Sequence, residues 1–276
     1  HASGQSAHYG TFAKAAAGTT PKNVLPKDRT AWTLIGKPAP RSDIPAKTFG
    51  TAQFGLDVRL PGLVYAQARM APMLGGTVGS LDTKAALAVP GVEKVVPLDS
   101  FAGSTSGFAV VGKTTWHARQ GADAVVVTWQ QRATGALDTQ AIEAKLLEAL
   151  KAEDGFTFYD KGSATKAEAG AARVVEAIYR APYLAHATME PMNCTARVLD
   201  GKVEVWAPTQ VPDMARAIAA KVAGVSEDKV TLHTTLLGGG FGRRLEVDHV
   251  GQAVSVAMAC NGKPVQLGWS REQDTT

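Results

Sequence analysis

Leu236-Leu237-Gly238-Gly239-Gly240-Phe241-Gly242-Arg243-Arg244 separates a segment that alternates as a strand, 230–236, from one with a helical stripe, Val247, Val250, Val254 and Ala257, that stops at Asn261-Gly262. Four glycines in five positions let main chain approach a bound group closely and adopt positive φ, so that consecutive N–H groups converge on an anion or an oxo ligand. Phe241 among them is a wedge. A glycine-rich run by itself also suits an ordinary turn, so the neighbouring elements have to decide.

Working outward, Lys202-Val203-Glu204-Val205-Trp206-Ala207 alternates as a strand. Pro212 then stands in a first helical turn, Met214, Ile218 and Val222 recur at helical spacing, and Gly224 closes the helix. The order strand, helix, strand, helix predicts two parallel neighbours joined by a crossover, whose carboxyl ends share one edge of a sheet. Gln210 and the loop 238–242 then face one another beside two helix N-termini, a setting for a negative or oxo-bearing ligand. Arg243 and Arg244 either add charge to that setting or form a solvated surface.

The rest of the chain reads as α+β. Nine of the fourteen prolines lie in the first hundred positions, and residues 1–44 read as a short helical patch at 9–17 followed by a Pro-rich tether. Residues 45–132 alternate strand-like pieces at 62–68, 92–96, 108–111 and 124–129 with helical patches at 82–88 and 115–122. Asp138 is a candidate N-cap for a helix over 139–151 with Ile142, Leu146, Leu147 and Leu150 on one face. The polar stretch 152–169 reads as a linker, and the last domain runs over 170–276, with a hairpin turned by Asp200-Gly201 and a closing strand at 264–270. Because that strand comes so near the last residue, the sequence is expected to be an internal piece of a longer protein.

Several classes of function are disfavoured. The net charge of +4 comes from scattered basic residues without the aromatic-interleaved basic block of a nucleic-acid surface. No apolar run approaches the roughly 18–20 residues that span a bilayer. Cys194 and Cys260 lie in no metal-binding spacing, so no zinc or iron–sulfur centre is built from this chain alone; buried free thiols are expected, with a disulfide as the alternative. The loop lacks the Lys and hydroxyl pair of a phosphate loop, and Arg243 stands where the dinucleotide fingerprint needs its third glycine. His117 and His233 read as packed or surface histidines. His186 and Glu190 are four apart, but Pro191 pushes Glu190 out of the helical region, which favours a scaffold role for that segment.

Four stretches in order resemble the molybdopterin-binding large subunit of the xanthine dehydrogenase and aldehyde oxidase family of molybdenum hydroxylases: 50–57 with Leu60-Pro61-Gly62-Leu63, 186–196 with its Met-Glu-Pro, Ala207-Pro208-Thr209-Gln210, and Gly238-Gly239-Gly240-Phe241-Gly242. Arg243-Arg244-Leu245-Glu246 and Met-Glu-Pro-Met-Asn are most similar to the branch of isoquinoline 1-oxidoreductase beta subunits and related bacterial aldehyde dehydrogenases. The resemblance implies a hammerhead α+β domain over 45–132 followed by the first part of the molybdopterin-binding domain. It implies molybdenum with molybdopterin cytosine dinucleotide, Gln210 hydrogen-bonded to an oxo ligand, and Gly239, Gly240, Phe241, Gly242 and Arg243 at the cofactor. No side chain then needs to ligate the metal, whose sulfur ligands come from the cofactor. The implied reaction hydroxylates an aldehyde or N-heterocycle with water as oxygen source. The base is a glutamate in sequence beyond this chain, a role that neither Glu190 nor Glu246 takes. The implied partners are an iron–sulfur subunit carrying [2Fe–2S] clusters, the remaining C-terminal part of the same subunit, and a cytochrome acceptor. Where the family commonly continues Gly-Lys-Glu after Phe-Gly, this chain has Arg-Arg-Leu-Glu, which shifts the acidic residue by one. Two rivals stand beside this reading: a nicotinamide-binding dehydrogenase and a non-catalytic interaction fragment.

Overall fold

In the computed structural model, which describes residues 3–135, 137–152 and 155–275, the chain divides into one unit ending at Thr51 and another beginning at Ala52. The first is built of single turns. A 3-10 turn at Tyr9–Phe12 runs into α1 (Ala13–Ala17), Asp28 caps a second turn at Arg29–Ala31, and α2 (Ile44–Thr48) has a proline in its first turn. None of its described residues is buried.

The second unit runs β1 (Val64–Met70), β2 (Thr77–Asp82), α3 (Lys84–Leu87), β3 (Val92–Leu98), β4 (Gly107–Gly112), α4 (Thr115–Ala124), β5 (Val126–Gln130), α5 (Thr139–Ala149), α6 (Ala164–Ala169), β6 (Asn193–Leu199), β7 (Lys202–Ala207), α7 (Pro212–Ala223), β8 (Val230–Thr234), α8 (Asp248–Met258), β9 (Val265–Gly268) and α9 (Arg271–Thr275). Seven strands form one sheet in the order β3-β4-β1-β9-β6-β7-β8, and β2 pairs with β5 in a separate ribbon. The β1–β9 and β7–β8 pairs are parallel and the rest antiparallel. Through the β1–β9 pair, one sheet joins strands from residues 45–132 to strands from residues 170–276. Among the described residues no helix is long and apolar enough to cross a membrane.

Local chemistry accounts for the elements that position the loops. Asp200 and Gly201 both have positive φ, 50° and 69°, and turn β6 into β7 as a two-residue hairpin whose twist matches its strands. Gly224 ends α7 with φ 68°. The stripe Val247, Val250, Val254 and Ala257 is buried as expected, at 3% exposure or less, against the sheet. Burial of such side chains stabilises by about 1.5–3 kcal/mol for each Val-sized group.

Two expectations need correction. Strand β2 was not foreseen, because Gly79 interrupts its alternation and its register shifts between Val78 and Ser80; Asp82 ends this strand instead of beginning a helix. The stretch read as a linker contains α6, capped by Ser163. In α7, Ile218 and Val222 pack against the core beside the buried Ala215, Ala219 and Ala220, while Met214 is 54% exposed. Both cysteines are free and buried, as expected; burial pushes the Cys194 thiol far above its usual range.

Candidate functional site

The site grows from the β7–β8 pair. Val203 to Ala207 lie opposite Val230 to Thr234 in parallel register, so both chains leave the sheet at the same edge. Pro208, Thr209 and Gln210 follow β7, and the glycine loop follows β8. The two tips meet as expected: a Cβ built on Gly240 would stand 2.6 Å from Gln210 Oε1 and 3.0 Å from its Cδ. Gln210 is exposed, its carboxamide held against Gly240 at the protein surface.

The loop turns outward through a run of positive φ at Gly239 (107°), Phe241 (52°) and Gly242 (93°). Phe241 is a non-glycine residue in the left-handed region and is 77% exposed at the tip; such backbone conformations persist where surrounding structure holds them. Inner donors engage the loop's carbonyls: Gly238 O accepts from Glu190 N, Gly239 O from Arg244 Nε at 2.8 Å, Gly240 O from Arg243 N and Gly242 O from Leu245 N. The acceptors are thereby consumed inside the protein, which suits a ligand that brings acceptors of its own.

Beneath the loop lies a buried ion pair. Arg244 is fully buried, not part of a solvated surface, and Glu190 is 8% exposed. The guanidinium donates to Gly239 O, Pro208 O, Glu190 O and Glu190 Oε2, the last at 3.0 Å. Glu190 Oε2 also accepts from Gly238 N at 2.9 Å, and Oε1 accepts from Leu56 N at 3.0 Å. The Arg244 carbonyl in turn accepts from Gln210 N at 3.0 Å and from the Thr209 hydroxyl. Burial lowers the Arg244 pKa while the Glu190 charge opposes the shift; a guanidinium keeps its proton through any such change. Gly238 has to be glycine, since a Cβ there would meet Glu190 Cβ at 2.3 Å. The segment 52–58 closes the far side: Leu236 N donates to Gln53 O, and buried Gln266 lies within hydrogen-bond reach of the carbonyls of Gly55, Leu56 and Val58.

Arg243 turns another way. Its two terminal nitrogens contact Asp248 at 3.1 and 2.9 Å, and its guanidinium lies 4.9 Å from the centre of the Trp269 ring. Burial raises the Asp248 pKa, but hydrogen bonds from His249 and Arg243 overcome it and hold the carboxyl well below the usual carboxylate range. A 3-10 turn, Arg243–Leu245, separates the loop from α8, so of the two helix N-termini expected beside the loop only α7 starts directly from a site tip. The remaining candidates are scattered. His186 Nε2 lies 3.8 Å from a Cβ built on Gly242, His233 stacks on Trp206, and His117 bonds the Thr114 hydroxyl. Among the described residues no cluster of three or more His, Cys, Asp or Glu is placed to hold a metal ion. Sequence reading missed the Glu190–Arg244 pair, because 54 positions separate its members and no local period connects them.

Comparison with known proteins agrees with this picture. Residues 150–276 match the family described as molybdopterin cofactor-binding domain. The chain is 32% identical over 275 residues to isoquinoline 1-oxidoreductase subunit beta of Brevundimonas diminuta, a match taking in 94% of this chain and 33% of that protein. It is 33% identical over 236 residues to a membrane-bound aldehyde dehydrogenase (pyrroloquinoline-quinone) of Gluconacetobacter polyoxogenes, covering 84% and 30%. Its fold resembles that of the aldehyde oxidoreductase of Desulfovibrio gigas, with a TM-score of 0.67 and 21% identity over 86% of this chain and 30% of the other. The chain thus spans about a third of the length of these relatives. Other relatives, from Escherichia coli O157:H7, are named as molybdenum-binding subunits of an aldehyde oxidoreductase and of xanthine dehydrogenase, and the mixed α/β fold is similar to that of a Cu,Mo-CO dehydrogenase.

Proposed function

Starting from that kinship with molybdenum-hydroxylase subunits, we propose that the chain forms one wall of a molybdopterin pocket and that Gln210 and the loop 238–242 are its working edge. The observation that carries the proposal is the contact of Gln210 with Gly240 across two loops that leave neighbouring parallel strands. The residues suit the group. A neutral carboxamide donates to an oxo ligand without adding charge, the glycine loop gives close main-chain approach, and a metal held by its cofactor's sulfurs asks for no cluster of protein ligands. Gly239, Gly240, Phe241 and Gly242 border the pterin, with Arg243 shaping the end of the loop while Asp248 holds its guanidinium.

When bound, molybdenum with molybdopterin cytosine dinucleotide supplies the two-electron oxidation of an aldehyde or N-heterocycle, with water as the oxygen source. This chain's own part is to bind and orient. Gln210, exposed at the edge of the sheet, fixes one acceptor of the bound group. The proton is taken by a glutamate outside this chain: both Glu190 oxygens already accept hydrogen bonds from main-chain or guanidinium donors, and Glu246 lies past the 3-10 turn and is exposed. A partner subunit with [2Fe–2S] clusters, and a cytochrome acceptor beyond it, would take the electrons onward, since two buried thiols cannot hold a cluster. Residues 45–132 serve as the hammerhead domain. The remaining C-terminal part of the same subunit completes the pocket, a reading supported by the one-third coverage of the relatives and by the exposed apolar side chains along 146–189. By itself the chain is expected to be inactive. The nicotinamide reading is less favoured, because the glycine loop follows the edge strand β8 and Arg243 occupies the place of the third glycine.

Metal analysis and pterin extraction on the complete, partner-associated enzyme test the proposal; active enzyme free of both would end it. In that enzyme Gln210→Ala is expected to lower turnover, and unchanged turnover contradicts its role. Gly240→Val is expected to abolish cofactor loading, because its side chain would occupy the space of Gln210 Oε1; loading equal to wild type counts against the pocket.

A further inference from the structure

We infer that the Glu190–Arg244 pair is a positioning device that sets the register between Gln210 and the glycine loop, a role that rests on the pocket reading above. Arg244 lies two residues beyond Gly242, so its main chain is fixed to the end of the loop. Its carbonyl accepts from Gln210 N at 3.0 Å, while its guanidinium donates to Gly239 O at 2.8 Å and to Pro208 O at 3.2 Å. One residue therefore bonds both tips and the strand exit that precedes Gln210. Glu190 holds this fork from below and bonds the Gly238 amide, so the start of the loop is fixed by the same carboxylate. A guanidinium presents donors in a rigid plane, and that plane is what reaches three carbonyls and a carboxylate at once; an ammonium on a flexible stem cannot keep all four. The fork thereby holds the Gln210 main chain where its carboxamide lies beside Gly240.

The test measures pterin release, followed by its fluorescence, from the complete holoenzyme carrying Arg244→Lys, Glu190→Gln or Gln210→Ala, and from the doubles that combine Gln210→Ala with each of the others. If the pair acts through Gln210, Arg244→Lys speeds release about tenfold in the wild-type background and less than about twofold when Gln210 is already alanine, the signature of coupled sites. Equal acceleration in both backgrounds, or no acceleration in either, overturns the inference. Glu190→Gln keeps the shape of the carboxylate and is expected to follow the same pattern more weakly; it decides the matter if Arg244→Lys fails to fold. Active wild-type enzyme that yields no pterin on denaturing extraction overturns the pocket reading itself, an outcome distinct from loss of the coupling.

Discussion

Helices α5 and α8 are of equal length and both carry apolar side chains at helical spacing, yet their surroundings differ. On α8, Val250, Ala253, Val254 and Ala257 are wholly buried between the sheet and α7. On α5, Leu146 is 55% exposed, and Leu150 just beyond it is 71% exposed. The face of α5 lines a groove of about 430 Å³ together with the irregular segment 178–183, where Arg180 pairs with Glu143 at 2.8 Å. Phe156, Phe158, Tyr159, Tyr179 and Leu184, nearby in sequence, are also exposed. Amphipathic spacing writes a helix in both places; only at α8 does the chain also supply the surface that covers it.

The sharpest way to break the comparison is at the buried end. Glu190→Ala leaves the fully buried Arg244 guanidinium without its carboxylate and the Gly238 and Leu56 amides without an acceptor, so it is expected to destabilise by about 3–5 kcal/mol. Chemical denaturation reads the effect, and a change below about 1 kcal/mol would mean that Arg244 finds other partners. Next comes Asp248. Its pKa is depressed in the folded chain, so its contribution is present above the ordinary carboxylate range, near pH 4, and is lost as the pH falls below it. The stability gap between wild type and Asp248→Asn is therefore expected to be widest above about pH 5 and to narrow toward pH 2. Denaturant midpoints across that range check this, and a gap that widens on acidification contradicts it. The smallest effect belongs to α5: Leu150→Ser is expected to shift stability by no more than about 0.5 kcal/mol, while making the chain less prone to associate in light scattering. A loss above about 2 kcal/mol would show that this face is already covered.

The same contrast explains what was legible in the sequence. Hairpin residues Asp200-Gly201, the helix stop at Gly224 and the buried stripe of α8 are local codes, so they were read with little displacement. Strand β2 escaped because a glycine and a bulge broke its period, and the fully buried alanines of α7 went unread because alanine carries little hydrophobic signal, although Ile218 and Val222 of its stripe do pack on the core. The facing of Gln210 and the glycine loop followed from the order of elements. Arg243 and Arg244, adjacent in sequence, could not be told apart: one lies along Asp248 and Trp269, and the other passes beneath the loop to Glu190.

Periodicity, turn residues and glycine spacing thus determined by themselves most of the strands and helices and the facing of Gln210 and the glycine loop, because each depends on neighbours a few positions away or on the order of elements. Which charges are buried, which face of α7 packs and whether an apolar stripe finds cover were decided by tertiary structure alone. Burial and pairing are properties of groups brought together across 50 or more positions, and no local pattern encodes that distance.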